Sequence, residues 1–165
     1  MRRKGNDLPK SCPISRSIRE RNGGYTLIEL SIVMTVMGIL VGIAIPLYIT
    51  HVRKAQIVRA MSEIRQIATA IAAYQAEYDA LPSSLEEVEY GDARDPWGNP
   101  YQYVNLGDMA STPRKDSAAA PLNTDYDLYS KGRDGKTQPS ITAQESRDDI
   151  IRARNGSYFG LAASY

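Results

Sequence analysis

The chain opens polar, turns apolar on every face, and then becomes one-sided. Residues 1–24 hold no helical stripe and are broken by Pro9, Pro13, Gly23 and Gly24, so they read as a lead rather than a folded unit. Tyr25–Ile49 is an apolar run with a single carboxylate, Glu29, near its start. Past His51, apolar positions recur at steps of three and four: Ile57, Met61, Ile64, Ile67/Ala68, Ile71, Tyr74 and Tyr78. Arg59, Ser62, Glu63, Arg65, Gln66, Gln75 and Glu77 fill the other faces. That spacing marks one face of a helix. No breaker stands between Pro46 and Pro82, so the pattern predicts one continuous helix from about Tyr25 to about Asp79, on the order of 80 Å long. Pro46 removes a backbone donor and is expected to kink or loosen it. Leu81-Pro82 ends it, and Ser84 with Glu87 offers an S-x-x-E cap for a short turn.

Beyond the helix the pattern shortens. Tyr101-Gln102-Tyr103-Val104 and Tyr126-Asp127-Leu128-Tyr129 are strand candidates, each beside a turn-rich stretch: 95–100 before the first, 131–135 after the second. Residues 111–120 are polar and Ala-rich and read as a loop. Two or three strands would cover the stripe of the helix. The expected fold class is α+β, a long N-terminal helix packed on a small antiparallel sheet with a modest core.

Length and charge turn the apolar run into a membrane candidate. Its roughly 25 residues make ~37 Å of helix, enough for a ~30 Å hydrocarbon core. Seven basic residues against two acidic ones precede Tyr25, whereas thirteen basic and seventeen acidic residues follow from there on. A basic lead favours a cytoplasmic N-terminus and a body on the far side, with Arg53 and Lys54 the weaker counter-signal. Three segments follow: 1–24 a cytoplasmic lead, 25–49 a transmembrane helix, and 50–165 an external body. Gly38 and Gly42 form a small-xxx-small pair that permits close helix contact.

The chemical inventory argues against catalysis. The lone cysteine, Cys12, lies in the lead, and the lone histidine, His51, borders the apolar run. Nucleophilic triads therefore lack their parts, and no P-loop or dinucleotide fingerprint is present. A mildly acidic body gives no footprint for nucleic acid. Trp97, beside Pro96 and Gly98, reads as core rather than a ligand platform. Glu86, Glu87, Glu89 and Asp92 read as a solvated acidic face. Arg152, Arg154 and Asn155-Gly156 read as an ordinary flexible terminus.

Gly24-Tyr25-Thr26-Leu27-Ile28-Glu29-Leu30, between a basic lead and an apolar helix, resembles the prepilin cleavage and methylation signature of type IV pilins and type II secretion pseudopilins. The resemblance implies cleavage between Gly24 and Tyr25 by a membrane prepilin peptidase, and N-methylation of Tyr25. Glu29 becomes the fifth mature residue, and Pro46 falls where such helices commonly carry a proline. An ionised carboxylate in a bilayer costs ~2.5–3.5 kcal/mol on insertion scales. In the family's scheme Glu29 of one subunit meets the Tyr25 amine of its neighbour, a pairing that can set register. The family more often has Phe where Tyr25 stands.

The body carries a second resemblance. Asp95-Pro96-Trp97-Gly98-Asn99-Pro100-Tyr101-Gln102-Tyr103 is similar to the DPWGNxYQY segment of major type II secretion pseudopilins, the GspG family. Residues 127–135, DLYSKGRDG, are similar to its D-[IL]-Y-S-x-G-x-D-G. In that family the second motif belongs to a calcium-binding loop, which implies Ca²⁺ on Asp127 and Asp134, with Ser130 as a further ligand. The alternative is a hairpin whose Asp-Gly turn suits positive φ at Gly135. Downstream the pattern departs: the family's glycine-rich stretch and D-I-G-N-W segment are replaced by Gln138-Pro139-Ser140 and Asp148-Asp149-Ile150-Ile151-Arg152, of which only Asp149-Ile150 matches. The resemblance implies an inner-membrane subunit with a periplasmic body. It would polymerise with itself, with other pseudopilins and on an inner-membrane assembly platform to drive protein export. The alternative is a type IV pilin or minor pseudopilin.

Overall fold

A computed structural model describes residues 24–107 and 111–165. The basic lead, with Cys12, lies outside the described residues apart from Gly24. Helix α1 spans Leu27–Tyr78, within two residues of each expected end. Its start is set by Thr26, whose Oγ1 accepts the Glu29 N–H at 3.2 Å. Its end falls where Asp79 takes a left-handed φ of 53°. Pro46 sits inside α1 without ending it. Ser31, Thr35 and Thr50 return their hydroxyl protons to the carbonyls of Leu27, Ser31 and Pro46. Three polar groups in an otherwise apolar stretch are thus satisfied within the helix.

The chain divides into two compact units, one ending at Ile43 and one spanning Ala44–Tyr165. In the first, every described residue is exposed. In the second, the predicted stripe is the buried face: Ala60, Ile64, Ile67 and Ile71 are almost fully covered, with Ile57, Met61, Ala68 and Tyr74 packed beside them. Tyr78, expected on the stripe, is exposed and stacks on Tyr74 at 4.5 Å between ring centroids.

This stripe packs on a four-stranded antiparallel meander: β1 (Gln102–Asn105), β2 (Tyr126–Ser130), β3 (Ile150–Ala153) and β4 (Tyr158–Leu161), in that order. The register pairs Leu128 with Tyr103, Tyr129 with Ile151, and Ile150 with Leu161. Strand side chains alternate, so each strand serves two faces. Tyr103, Tyr126, Leu128, Ile150, Phe159 and Leu161 join the α1 cluster. Tyr129, Ile151, Ala153 and Tyr158 join a second cluster with Leu122, Ile141 and Ala162. Trp97 packs against the α1 cluster, as its core reading required.

Three expectations are corrected. The sheet has four strands, not two or three, and the supposed flexible terminus supplies the extra pair. There Arg152 is buried in β3 beside Asp125 at 2.6 Å, and the β3–β4 turn uses left-handed Asn155 and Gly156. The short turn Leu85–Val88 is not capped by Ser84. The Glu87 carboxylate instead reaches back to accept the N–H and hydroxyl of Ser83. Glu86, Glu87, Glu89 and Asp92 are all exposed, the solvated face expected of them.

Candidate functional site

Gly24, Tyr25 and Glu29, the residues expected to serve processing and assembly, lie at the bare end of α1. Gly24 and Tyr25 precede the first helical turn in irregular, exposed backbone. An unwound, accessible strand is what a peptidase needs at a scissile bond. Glu29 sits in the first turn, where a carboxylate complements the helix dipole. Thr26 and Glu29 stand in T-x-x-E spacing, a cap signal in the sequence that the reading of Glu29 alone passed over.

The two body motifs dock on each other. Asp95 Oδ1 accepts the Trp97 and Asn99 N–H groups at 3.0 and 2.8 Å, which shapes the Asp-Pro-Trp-Gly-Asn turn. Its Oδ2 accepts the Ser130 hydroxyl from β2. Asn99 Nδ2 donates to the Gly132 carbonyl at 2.8 Å. The loop after β2 is then clamped from the other side. Asp148 Oδ2 accepts the N–H groups of Arg133 and Asp134 at 2.8 and 3.1 Å. Gly132 holds φ +64°, and a Cβ there would lie 2.3 Å from the Asp148 carbonyl oxygen, so only glycine fits.

Behind the sheet, on the face away from α1, lies a buried polar network that sequence reasoning missed. Arg114 is buried; its Nη2 meets Asp149 Oδ2 at 2.6 Å and its Nη1 donates to Thr137 Oγ1 at 2.8 Å. Thr137 donates in turn to Asp149 Oδ2. The guanidinium lies over the Tyr129 ring, 4.1 Å from its centroid. Burial pushes the Asp149 carboxyl up to about 6, against the pull of Thr137 and Arg114. Burial also raises Asp127, although its oxygens accept the Arg114 N–H and Asn123 Nδ2 at 2.7 and 2.8 Å. No local pattern announces this network, because Arg114 and Asp149 lie 35 residues apart.

Calcium needs six to eight oxygens converging at ~2.3–2.6 Å. Asp127 spends both oxygens on nitrogen donors. Ser130 donates to Asp95 and accepts the Gly132 N–H. Asp134 is exposed in the turn, where its Oδ1 accepts the Lys136 N–H at 2.8 Å. Three separate sets of protein donors hold the three residues, and no hydrogen bond joins them. Among the described residues, no group of three or more His, Cys, Asp or Glu is placed to hold a metal ion. The residues as arranged do not fit the ion.

Comparison with known proteins meets this geometry from both ends. The family described as "Prokaryotic N-terminal methylation motif" matches residues 19–45. Type II secretion system core protein G of Pseudomonas aeruginosa is 30% identical over 139 residues, covering 72% of this chain and 88% of that protein. The chain belongs to the type II secretion pseudopilin superfamily. Core protein G of Aeromonas hydrophila is 24% identical over a similar 139 residues, 72% of this chain and 87% of that one. The type IV major fimbrial protein FimA of Dichelobacter nodosus is 52% identical over 48 residues, 29% of this chain and 31% of that protein. No solved structure matches. Pseudopilin architecture is what α1 and the meander build, and membership places the chain among pilin-like structural subunits rather than catalysts. The apolar part of α1, with a mean hydropathy of 2.4 and no burial, is long enough to cross a membrane.

Proposed function

We propose that this chain is the major subunit of a type II secretion pseudopilus, made as an inner-membrane precursor and polymerised to drive protein export. The observation that carries the reading is the coupling of two features. Apolar residues of α1 from Leu27 to Ile49 are uncovered, and the body behind them is similar to core protein G over most of its length. Apolar surface of that extent is stable in lipid or against other helices, not in water. Extraction into a fibre exchanges the first environment for the second. Gly38 and Gly42 have open space around them, which lets neighbouring helices approach closely.

In this scheme the prepilin peptidase cuts after Gly24 and methylates Tyr25, with the lead cytoplasmic and the body periplasmic. The freed amine then gives Glu29 a cationic partner on the next subunit. An assembly platform and its ATPase supply the energy, and other pseudopilins share the fibre. The resemblance to FimA covers only 29% of this chain, so it does not bear on the body as a whole. The test is expression with a cognate secretion machine. Mass spectrometry should find a chain beginning at methylated Tyr25, and Glu29→Ala should insert normally yet fail to enter fibres. Normal fibre yield from Glu29→Ala would overturn the register role. An uncut chain would overturn the whole reading.

A further inference from the structure

We propose that the Arg114 guanidinium is the structural cation of the β2–β3 loop, bridging and neutralising its carboxylate as a metal ion would, so that the loop closes without calcium. The loop is long, residues 131–149, and holds no strand. A connection of that length inside a small body needs something to fasten it. Arg114 fastens it at two points, Thr137 near its start and Asp149 at its end, 23 and 35 residues away in sequence.

The guanidinium is held in place before it meets its partners. The backbone around it is stitched to its surroundings: Lys115 N–H to Pro139 O at 2.8 Å, Ile141 N–H to Lys115 O at 3.0 Å, and Leu122 N–H to Arg114 O at 2.9 Å. The Arg114 N–H is itself fixed on Asp127. The Tyr129 face lies against the cation. Planar, always charged and weakly hydrated, a guanidinium suits a buried ion pair.

The same arrangement disfavours a metal. Asp127 is spent on nitrogen donors, and Asp149 Oδ2 is spent on Arg114 and Thr137. Asp149 Oδ1 is buried without a partner, but it belongs to the carboxylate that Arg114 already neutralises. A divalent ion there would sit beside a buried positive charge.

The test is a thermal melt of the full chain in detergent micelles, followed by Trp97 fluorescence, in millimolar calcium chloride and in chelator. Wild-type midpoints should agree within about 1 °C, because a ligand that does not bind contributes no linkage. Arg114→Met and Asp149→Leu should each lower the midpoint by about 10 °C in both media, since each leaves a partner buried and unpaired. The double variant should regain at least half of the summed losses. Where a single variant does not fold, a folded double variant reads the same coupling. A wild-type midpoint raised several degrees by calcium overturns the proposal, as do simply additive losses or an unfolded double variant. The fibre assignment is tested separately, and loss of that assignment would leave these melts unchanged.

Discussion

The two faces of the sheet are both buried, and they are held by different physics. Toward α1, aliphatic and aromatic side chains from every strand meet the Ala60–Ile64–Ile67–Ile71 stripe. Such a face is non-directional: it stabilises in proportion to the area removed from water. Away from α1, a small apolar cluster shares the space with Asp127, Arg114, Asp149 and Asn123, all buried. That face is directional, because each buried polar group needs its own partner at the right distance and angle. The helix face tolerates repacking. The outer face does not tolerate the loss of one member.

The largest way to break the comparison is a charge on the helix face. Ile64→Asp buries an unpaired carboxylate where exposure is zero, and a cost of about 5 kcal/mol or more should remove the folded body. Near-UV circular dichroism would read this as lost tertiary signal. Retained signal would mean that the stripe is not the core.

Next comes the outer face. Asn123 bonds Asp127 and the Arg152 carbonyl through Nδ2, and accepts the Asn155 N–H at Oδ1. Asn123→Ala removes all three bonds from a buried site and should cost about 3 kcal/mol in chemical denaturation. A loss under about 1 kcal/mol would mean that water replaces the amide there.

The smallest effect uses pH to set the outer network against the Asp125–Arg152 pair, whose guanidinium lies over the Tyr126 ring of the helix face. Asp149 has its carboxyl raised to about 6 by burial, so the folded state holds its proton at higher pH than the unfolded chain does. Its contribution to stability is therefore full below the ordinary carboxylate range and is lost as pH rises through about 6. Asp125 runs the other way. Burial opposes ionisation, but the hydrogen bonds from Arg152 and the Tyr126 N–H hold it below its ordinary value. Its contribution is present at neutral pH and is lost as pH falls through that lowered value. Denaturation from about pH 2 to pH 7 should show Asp149→Asn removing the decline toward neutral pH, and Asp125→Asn removing part of the loss on the acid side. Equal slopes in both variants would sink the assignment.

How much was legible follows the same division. The stripe was read correctly from Ile57 to Tyr74, because helical periodicity is a local property of adjacent turns. It overran at Tyr78, where the sheet no longer reaches and the ring stacks on Tyr74. β1 and β2 were legible from their aromatic runs. β3 was not: with Arg152 inside Ile150–Ala153 it looked like a charged tail. The arginine is buried only because Asp125 and the Tyr126 ring accept it. Glu87 reaches back to Ser83 rather than pairing with Ser84, a one-residue shift that turn geometry decides.

Sequence by itself determined the long helix, its bare apolar start, the Gly24–Tyr25 motif with Glu29 beyond it, and the two motifs flanking β1 and β2. Each is written in contiguous residues, where spacing alone carries the information. Only the tertiary structure decided that Asp95 holds Ser130, that Asp127 and Asp134 go to separate partners, and that Arg114 meets Asp149. Apart from Lys136 and Asn123, which are local to Asp134 and Asp127, those partners are brought together by the meander from 13 to 35 residues apart. A polar side chain reads the same in sequence whether water or a buried partner satisfies it, and only the fold chooses between them.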